Sequence, residues 1–190
     1  MGHRIYEPAE DSWLLQRCVE REARGEVLDM GTGSGIQAIS AARKADVARV
    51  IAVDISSEAL ETAEDHALAA GVSDKIVFRQ SDLFQTVSER FDFVLFNPPY
   101  LPTDLETSGD ESSRAWDGGA TGSEVIRRFL GEVGAHLKPN GRILLILSSL
   151  TRITLDEIKG DFEVEVLAEE ALFFERLFCL SLSEKSHVSV

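Results

Sequence analysis

Cysteine is scarce, with Cys18 and Cys179 the only two in 190 residues, far apart and neither in a Cys-x-x-Cys pattern. That excludes a disulfide scaffold, and both are expected to be small buried hydrophobes. The four histidines, His3, His66, His136 and His187, are scattered without metal-ligand spacing, so no metal is expected in the chain. Long hydrophobic runs are missing too. The longest, Ile143 through Leu147, has the length of a buried strand, well below the roughly 18 apolar residues that cross a bilayer. The first eight residues carry charge but no apolar signal-peptide core, so a soluble, cytoplasmic protein is expected. Positive charge is also in deficit: 19 Lys and Arg face 33 Asp and Glu, a net charge of −14. Nucleic-acid affinity draws mostly on clustered basic side chains at phosphates, and basic pairs in the expected helices are few, Arg127-Arg128 among them. Direct nucleic-acid binding is therefore not expected. The acidity fits either a solubility or habitat adaptation or a basic partner or substrate.

What is present is a 44% hydrophobic composition in a chain of 190 residues, enough for one core and one domain spanning 1–190. Short β-rich runs alternate with helical segments, as in an α/β domain with a largely parallel sheet. Residues 11–24 read as an amphipathic helix with Trp13, Leu14, Cys18 and Val19 along one side, closed by Gly25. Strands are expected at 26–29, 50–53, 76–79, 91–96 and 143–147. Helices are expected at 36–44, from Ser56 or Ser57 to Ala70, at 123–137 and at 155–159. Residues 138–141 read as a turn, and 164–168 and 177–182 as an antiparallel closing pair joined by a short segment. Residues 101–121 are polar and aperiodic, and a loop of that length in a compact domain is usually functional or disordered.

Asp29-Met30-Gly31-Thr32-Gly33-Ser34-Gly35 follows an expected strand and opens an expected helix. Glycines allow a sharp backbone turn and close ligand approach, and a helix N-terminus offers unpaired N–H groups. Dinucleotide enzymes use a related turn, but here the spacing is Gly-x-Gly-x-Gly with an acid before it. This pattern resembles the first motif of the seven-stranded class I methyltransferases. Asp54 ends the second expected strand, where a carboxylate can accept ribose hydroxyls. Asp82 follows the third. By the same resemblance it would bond an adenine amino group while Leu83 packs on the ring. Each acid alone could be a helix cap or a solvated loop residue. Together they fall where open α/β sheets bind ligands.

Phe91 through Phe96 delivers Asn97-Pro98-Pro99-Tyr100 to the end of the fourth strand. The Asn97 side-chain carbonyl and the Pro98 backbone carbonyl can both accept from one NH₂ group. The prolines restrict φ and bring no competing N–H donors, and Tyr100 offers a flat face for a planar group. An sp² nitrogen is a poor nucleophile, so orientation matters more than a strong base, and none is required. Asn97, Pro98 and Tyr100 are therefore the candidate catalytic residues, with Pro99 and Trp116 beside them as substrate contacts. Adenine, cytosine and glutamine all present a planar NH₂, so the tetrapeptide alone does not choose among them.

The opening segment narrows the choice. Tyr6-Glu7-Pro8-Ala9-Glu10-Asp11-Ser12-Trp13-Leu14-Leu15, the glycine loop, Asp54, Asp82, Asn97 to Tyr100 and Ala115-Trp116-Asp117-Gly118-Gly119 together resemble the short archaeal and eukaryotic branch of the HemK/PrmC family. The resemblance implies a class I, Rossmann-like, seven-stranded fold, mostly parallel with an antiparallel C-terminal strand, in the order 3-2-1-4-5-7-6. It implies S-adenosyl-L-methionine as cofactor, with S-adenosyl-L-homocysteine as product. The acceptor it implies is the glutamine amide of the Gly-Gly-Gln loop of a release factor. Residues 1–25 would cover the cofactor, so Glu7, Pro8 and Asp11 join Asp29, Gly31, Gly33, Gly35, Asp54, Asp82, Leu83 and Asn97 as candidate cofactor contacts. A helix-capping role for Asp11 or Ser12 is the plainer alternative. Residues 101–122 would form a substrate-side wall, with Trp116 either there or a packing anchor. The branch is commonly paired with a small zinc-binding activator subunit, which could add to the third strand at the sheet edge through Val77 and Phe78. A methyltransferase of nucleobase amino groups and a cofactor-binding scaffold without turnover are the competing readings.

Overall fold

The computed structural model describes residues 7–99 and 123–185. Tyr6, Tyr100, Trp116 and the expected loop 101–121 lie outside the described residues. The strands are β1 (Gly25–Met30), β2 (Val47–Asp54), β3 (Ile76–Gln80), β4 (Phe91–Phe96), β5 (Leu137–Ser148), β6 (Phe162–Ala171) and β7 (Arg176–Glu184). The helices are α1 (Glu10–Glu22), α2 (Ile36–Ala42), α3 (Ser57–Ala69), α4 (Glu124–Val133) and α5 (Leu155–Asp161). The strands form one seven-stranded sheet in the order β3-β2-β1-β4-β5-β7-β6. β1 through β5 pair in parallel, and β7 runs antiparallel to both β5 and β6. This is the seven-stranded, mostly parallel α/β fold expected.

Central strands buried on both faces need apolar side chains in both registers of the pleat. Leu28, Met30, Val94, Phe96, Ile143 and Leu145 pack on one face with Ile126, Phe129 and Val133 of α4 and Ile158 of α5. Val27, Phe93, Leu95, Leu144 and Ile146 pack on the other with Leu14, Leu15, Cys18 and Val19 of α1 and the alanines of α2. Cys18 and Cys179 are buried free thiols in that second layer. No helix among the described residues is long and apolar enough to cross a membrane.

Several boundaries differ from the sequence expectation for identifiable reasons. α1 stops at Glu22, and Gly25 is the first residue of β1 rather than a helix stop. Its φ is +70°, and a Cβ there would lie 2.3 Å from the Asp92 carboxylate, which accepts the Glu26 N–H at 2.7 Å. Trp13 is half-exposed, and the buried side of α1 carries Asp11, Ser12 and Leu15 beside Leu14, Cys18 and Val19. α4 ends at Val133 in a 3-10 turn over Gly134–His136, so the chain enters β5 at Leu137. Residues 138–141 are not a turn before the strand but an outward loop within it: Leu137 lies opposite Phe91 and Arg142 opposite Phe93. Asn140 takes the left-handed conformation this requires, with φ +63°. β6 extends to Ala171, which shortens its link with β7 to residues 172–175. Ser56 caps α3, accepting from the Ala59 N–H at 3.3 Å.

Candidate active site

The strand order reverses direction between β1 and β4, the point at which open α/β sheets form a crevice beyond the strands' carboxyl ends. Neighbouring strands lie about 4.8 Å apart. The ends of β3, β2, β1 and β4 therefore set out Asp82, Asp54, the glycine loop and Asn97 along roughly 15 Å of the sheet edge.

The loop after β1 turns through three left-handed glycines, Gly31, Gly33 and Gly35, with φ of +64°, +54° and +82°. Their surroundings differ. A Cβ on Gly35 would meet the Ala63 Cβ at 3.0 Å and its Cα at 3.2 Å, so this glycine lets α2 approach α3. A Cβ on Gly31 or Gly33 would have its nearest neighbour at 3.7 Å or 4.0 Å. Those are ordinary van der Waals distances, so these two glycines answer to backbone conformation rather than to crowding, as a turn that a ligand approaches closely does. Asp29 lies beneath the loop, 1% exposed. Its Oδ2 accepts from the Thr32 hydroxyl at 2.6 Å and from the Ala38 N–H at 3.0 Å. Burial outweighs these bonds and lifts its pKa from 3.8 to about 7. Asp29 thus ties the loop to α2 from below.

Asp54 accepts the Gly33 N–H on Oδ2 at 3.0 Å and the Ser56 N–H on Oδ1 at 2.9 Å. Burial raises its pKa, and these backbone bonds oppose the shift. A carboxylate has about four acceptor positions, so it can take hydroxyl donors in addition. Asp82 is held by Arg128 of α4, whose Nη2 donates to Oδ2 at 3.0 Å. Arg127 turns the other way, to Glu157, the Arg152 carbonyl and the Ser123 hydroxyl. The basic pair of α4 is thus engaged in internal contacts. Leu83 adopts φ +48°, held by a bond from the Ser81 hydroxyl to its carbonyl at 2.7 Å. This turns its side chain into the core, leaving it 7% exposed, so it offers a ring little surface. Ile55, beside Asp54 and 58% exposed, is the apolar side chain open to solvent there.

Asn97 leaves β4 with its Oδ1 buried and, among the described residues, without a hydrogen-bond partner. Its Nδ2 faces the Ser12 hydroxyl at 3.5 Å. Ser12 in turn donates to the Asp11 carboxyl at 3.2 Å, which leaves its hydroxyl oxygen to accept from the Asn97 amide. The first turn of α1 is anchored here as well, since the Gln37 amide donates to the Ser12 carbonyl at 2.8 Å. The cap of α1 is Ala9, with no side-chain bond. Asp11 and Ser12 therefore lie within the helix, buried against the end of β4, while Pro8 is half-buried and Glu7 exposed. Ser12, Ile55 and Arg128 join the site although none was among the candidate site residues read from the sequence, where Ser12 entered as a possible helix cap and Arg128 as half of a basic pair. Ser12 had a signal, its place beside Asp11. Arg128, 46 residues from Asp82, had none.

Known proteins match this arrangement. The family model for the methyltransferase small domain matches residues 9–110. A provisionally named protein N5-glutamine methyltransferase from Methanocaldococcus jannaschii is 38% identical over 181 residues, covering 93% of this chain and 90% of that protein. A release factor glutamine methyltransferase from Koribacter versatilis is 37% identical over 167 residues, covering 80% of this chain. The match covers 58% of that bacterial protein's length. Among solved structures, a ribosomal protein L11 methylase from Lactobacillus delbrueckii subsp. bulgaricus superposes with a TM-score of 0.70 at 22% identity, over 95% of this chain and 81% of that one. That likeness speaks for the fold. With a glycine cradle and strand-end acids on a sheet of this order, and relatives of this identity along nearly its whole length, the chain belongs to the methyltransferase small domain family, in its HemK/PrmC branch.

Proposed function

We propose that this chain is a cytoplasmic S-adenosyl-L-methionine-dependent N-methyltransferase whose acceptor is the glutamine amide of a release factor's Gly-Gly-Gln motif. The observation that supports this reading is the Asn97 Oδ1, a buried acceptor with no donor among the described residues. Leaving such a group unpaired costs on the order of 1–3 kcal/mol, a cost that an incoming NH₂ donor removes. The Pro98 carbonyl beside it supplies a second acceptor. Two acceptors on one NH₂ hold the amide nitrogen's position and facing, which is most of what a weak sp² nucleophile needs. Bound S-adenosyl-L-methionine would supply an electrophilic methyl group and leave as S-adenosyl-L-homocysteine.

The residues present fit that cofactor. Gly31 and Gly33 leave room for it, Asp54 keeps acceptor capacity for ribose hydroxyls, and Asp82 would receive the adenine amino group with Arg128 steadying it. Ile55 would lie against the ring in place of the largely buried Leu83. Glu7, Pro8 and Asp11 would close over it from the N-terminal side. Tyr100 and Trp116 are assigned to the acceptor's side, with 101–122 as the substrate-side segment. A small zinc-binding activator subunit would add at the free edge of β3, where Val77 is exposed and Phe78 is packed partly inward.

The test is mass spectrometry of the labelled acceptor after incubation with the release factor and labelled cofactor. Label should sit on the glutamine of Gly-Gly-Gln, and label on a nucleobase instead would sink the proposal. Asn97→Ala should lower kcat by roughly a hundredfold with cofactor binding nearly unchanged by calorimetry. Asp54→Ala should weaken cofactor binding about tenfold or more. The reverse pattern would overturn these role assignments.

A further inference from the structure

The link between β6 and β7 carries Phe173 and Phe174, which are 91% and 85% exposed. Their rings meet edge to face, with centroids 4.6 Å apart. Surface apolar side chains scattered singly need no explanation, but an adjacent aromatic pair standing in water marks an interaction site. Leu150, in the turn after β5, is half-exposed as well. The tip is a built feature. The Leu172 N–H donates to the Glu175 carbonyl at 2.8 Å, and the Ser149 N–H to the Arg176 carbonyl at 2.8 Å. The Arg176 N–H returns to the Ser149 hydroxyl at 2.9 Å, and the Ser148 hydroxyl donates to Glu175. A closed turn over 172–175 and its pairing with the end of β5 therefore fix the base on which the two exposed phenylalanines stand.

Its position ties it to the site. Leu145 lies opposite Phe96, and Leu177 opposite Ser148. The β6–β7 tip therefore rises from the same end of the sheet as Asn97. Counting strand spacings and residue rises places it about 12 Å to the side of Asn97 and about 16 Å above it, roughly 20 Å in all. An extended peptide needs about six residues to cover that span. A glutamine loop in the site would not itself reach the tip, but the folded body behind the loop would. The surrounding charge limits what that body presents: of the five glutamates from Phe162 to Glu175, Glu165, Glu169 and Glu170 are paired with Arg142, Arg176 and Arg17, and Glu163 and Glu175 leave the stretch net acidic. Phosphate-rich surfaces are disfavoured beside them, and an apolar depression ringed by basic side chains is matched.

We infer that the Phe173–Phe174 tip, with Leu150, is the docking element for the folded body of the acceptor protein, an apolar patch bordered by basic residues. This rests on the reading of the chain as a protein glutamine methyltransferase. Initial rates are measured with the release factor on wild type, on the double variant Phe173→Ser, Phe174→Ser, and on Leu68→Ser, a control that removes an exposed apolar side chain from α3. The double variant should raise KM for the acceptor by about tenfold or more, as loss of an aromatic anchor does. Its kcat at saturation and its calorimetric affinity for S-adenosyl-L-homocysteine should match wild type, and Leu68→Ser should change none of the three. An unchanged KM in an active double variant overturns the docking role and leaves the function reading intact. A wild-type enzyme that binds the cofactor but methylates no release factor overturns the function reading, and the docking role with it. Wild-type self-association in sedimentation that the double variant loses, or salt-sensitive RNA binding that it loses, would assign the tip to another occupant and likewise overturn the proposal.

Discussion

The carboxyl of Asp29 is buried beneath the glycine loop, with Oδ2 accepting from both the Thr32 hydroxyl and the Ala38 N–H. Its pKa is raised from 3.8 to about 7, so the folded chain holds this proton more tightly than the unfolded one. The sign follows from linkage: the group favours folding fully below its unfolded pKa, and that advantage is lost as pH climbs from about 4 through about 7. A shift of this size corresponds to an effect on the order of a few kcal/mol. Asp29→Asn places an amide oxygen where Oδ2 sits, keeps both bonds and removes the ionisation. Urea unfolding across this range should show wild type losing stability relative to the variant as pH rises toward 8. A gap that does not change with pH would mean that Asp29 is already ionised throughout. Asn97 shows the complementary residue-scale feature, a buried neutral acceptor without a donor among the described residues at the neighbouring strand end.

The glycine loop was legible as an element because its spacing is local, yet the division of work within it was not. Gly35 faces Ala63 of α3, a neighbour far along the chain, while a Cβ on Gly33 would meet nothing nearer than the Gly31 carbonyl at 4.0 Å. Gly35→Ala combines left-handed strain with overpacking and should destabilise the chain by about 1–3 kcal/mol. Gly33→Ala carries the strain alone, about 1 kcal/mol, and should additionally weaken S-adenosyl-L-homocysteine binding. Paired urea unfolding and calorimetry separate the two, and equal effects on both readouts would contradict the assignment. The same reasoning explains what else the sequence left hidden. Strands β2, β4 and β5 were visible as apolar runs because both of their faces are buried. The outward loop at 138–141 is defined only by its register against Asp92 on β4. The inward turn of Leu83 depends on a hydroxyl bond from Ser81, and the Asp82–Arg128 pair depends on how α4 packs. Each is a tertiary fact with no periodic trace.

Over the whole molecule, the net charge of −14 acts in two directions. Like charges at this density oppose the compact state. Against this stand surface ion pairs such as Arg17–Glu170, Arg49–Glu26 and Arg176–Glu169, which remain substantially exposed. Pairs of that kind contribute about 0–1 kcal/mol each, so screening them removes little while screening the net repulsion restores more. Raising salt from about 0.02 M to about 0.5 M shortens the screening length to several ångströms, and the melting temperature should rise over that range. The same change should act oppositely on the acceptor. If the acidic surface recruits a basic protein, long-range attraction weakens, and kcat/KM for the release factor should fall several-fold while kcat holds. Thermal melts and initial rates in matched buffers give both slopes. A kcat/KM that stays flat while the melting temperature climbs would show that the acidity serves the chain's solubility rather than the capture of its substrate.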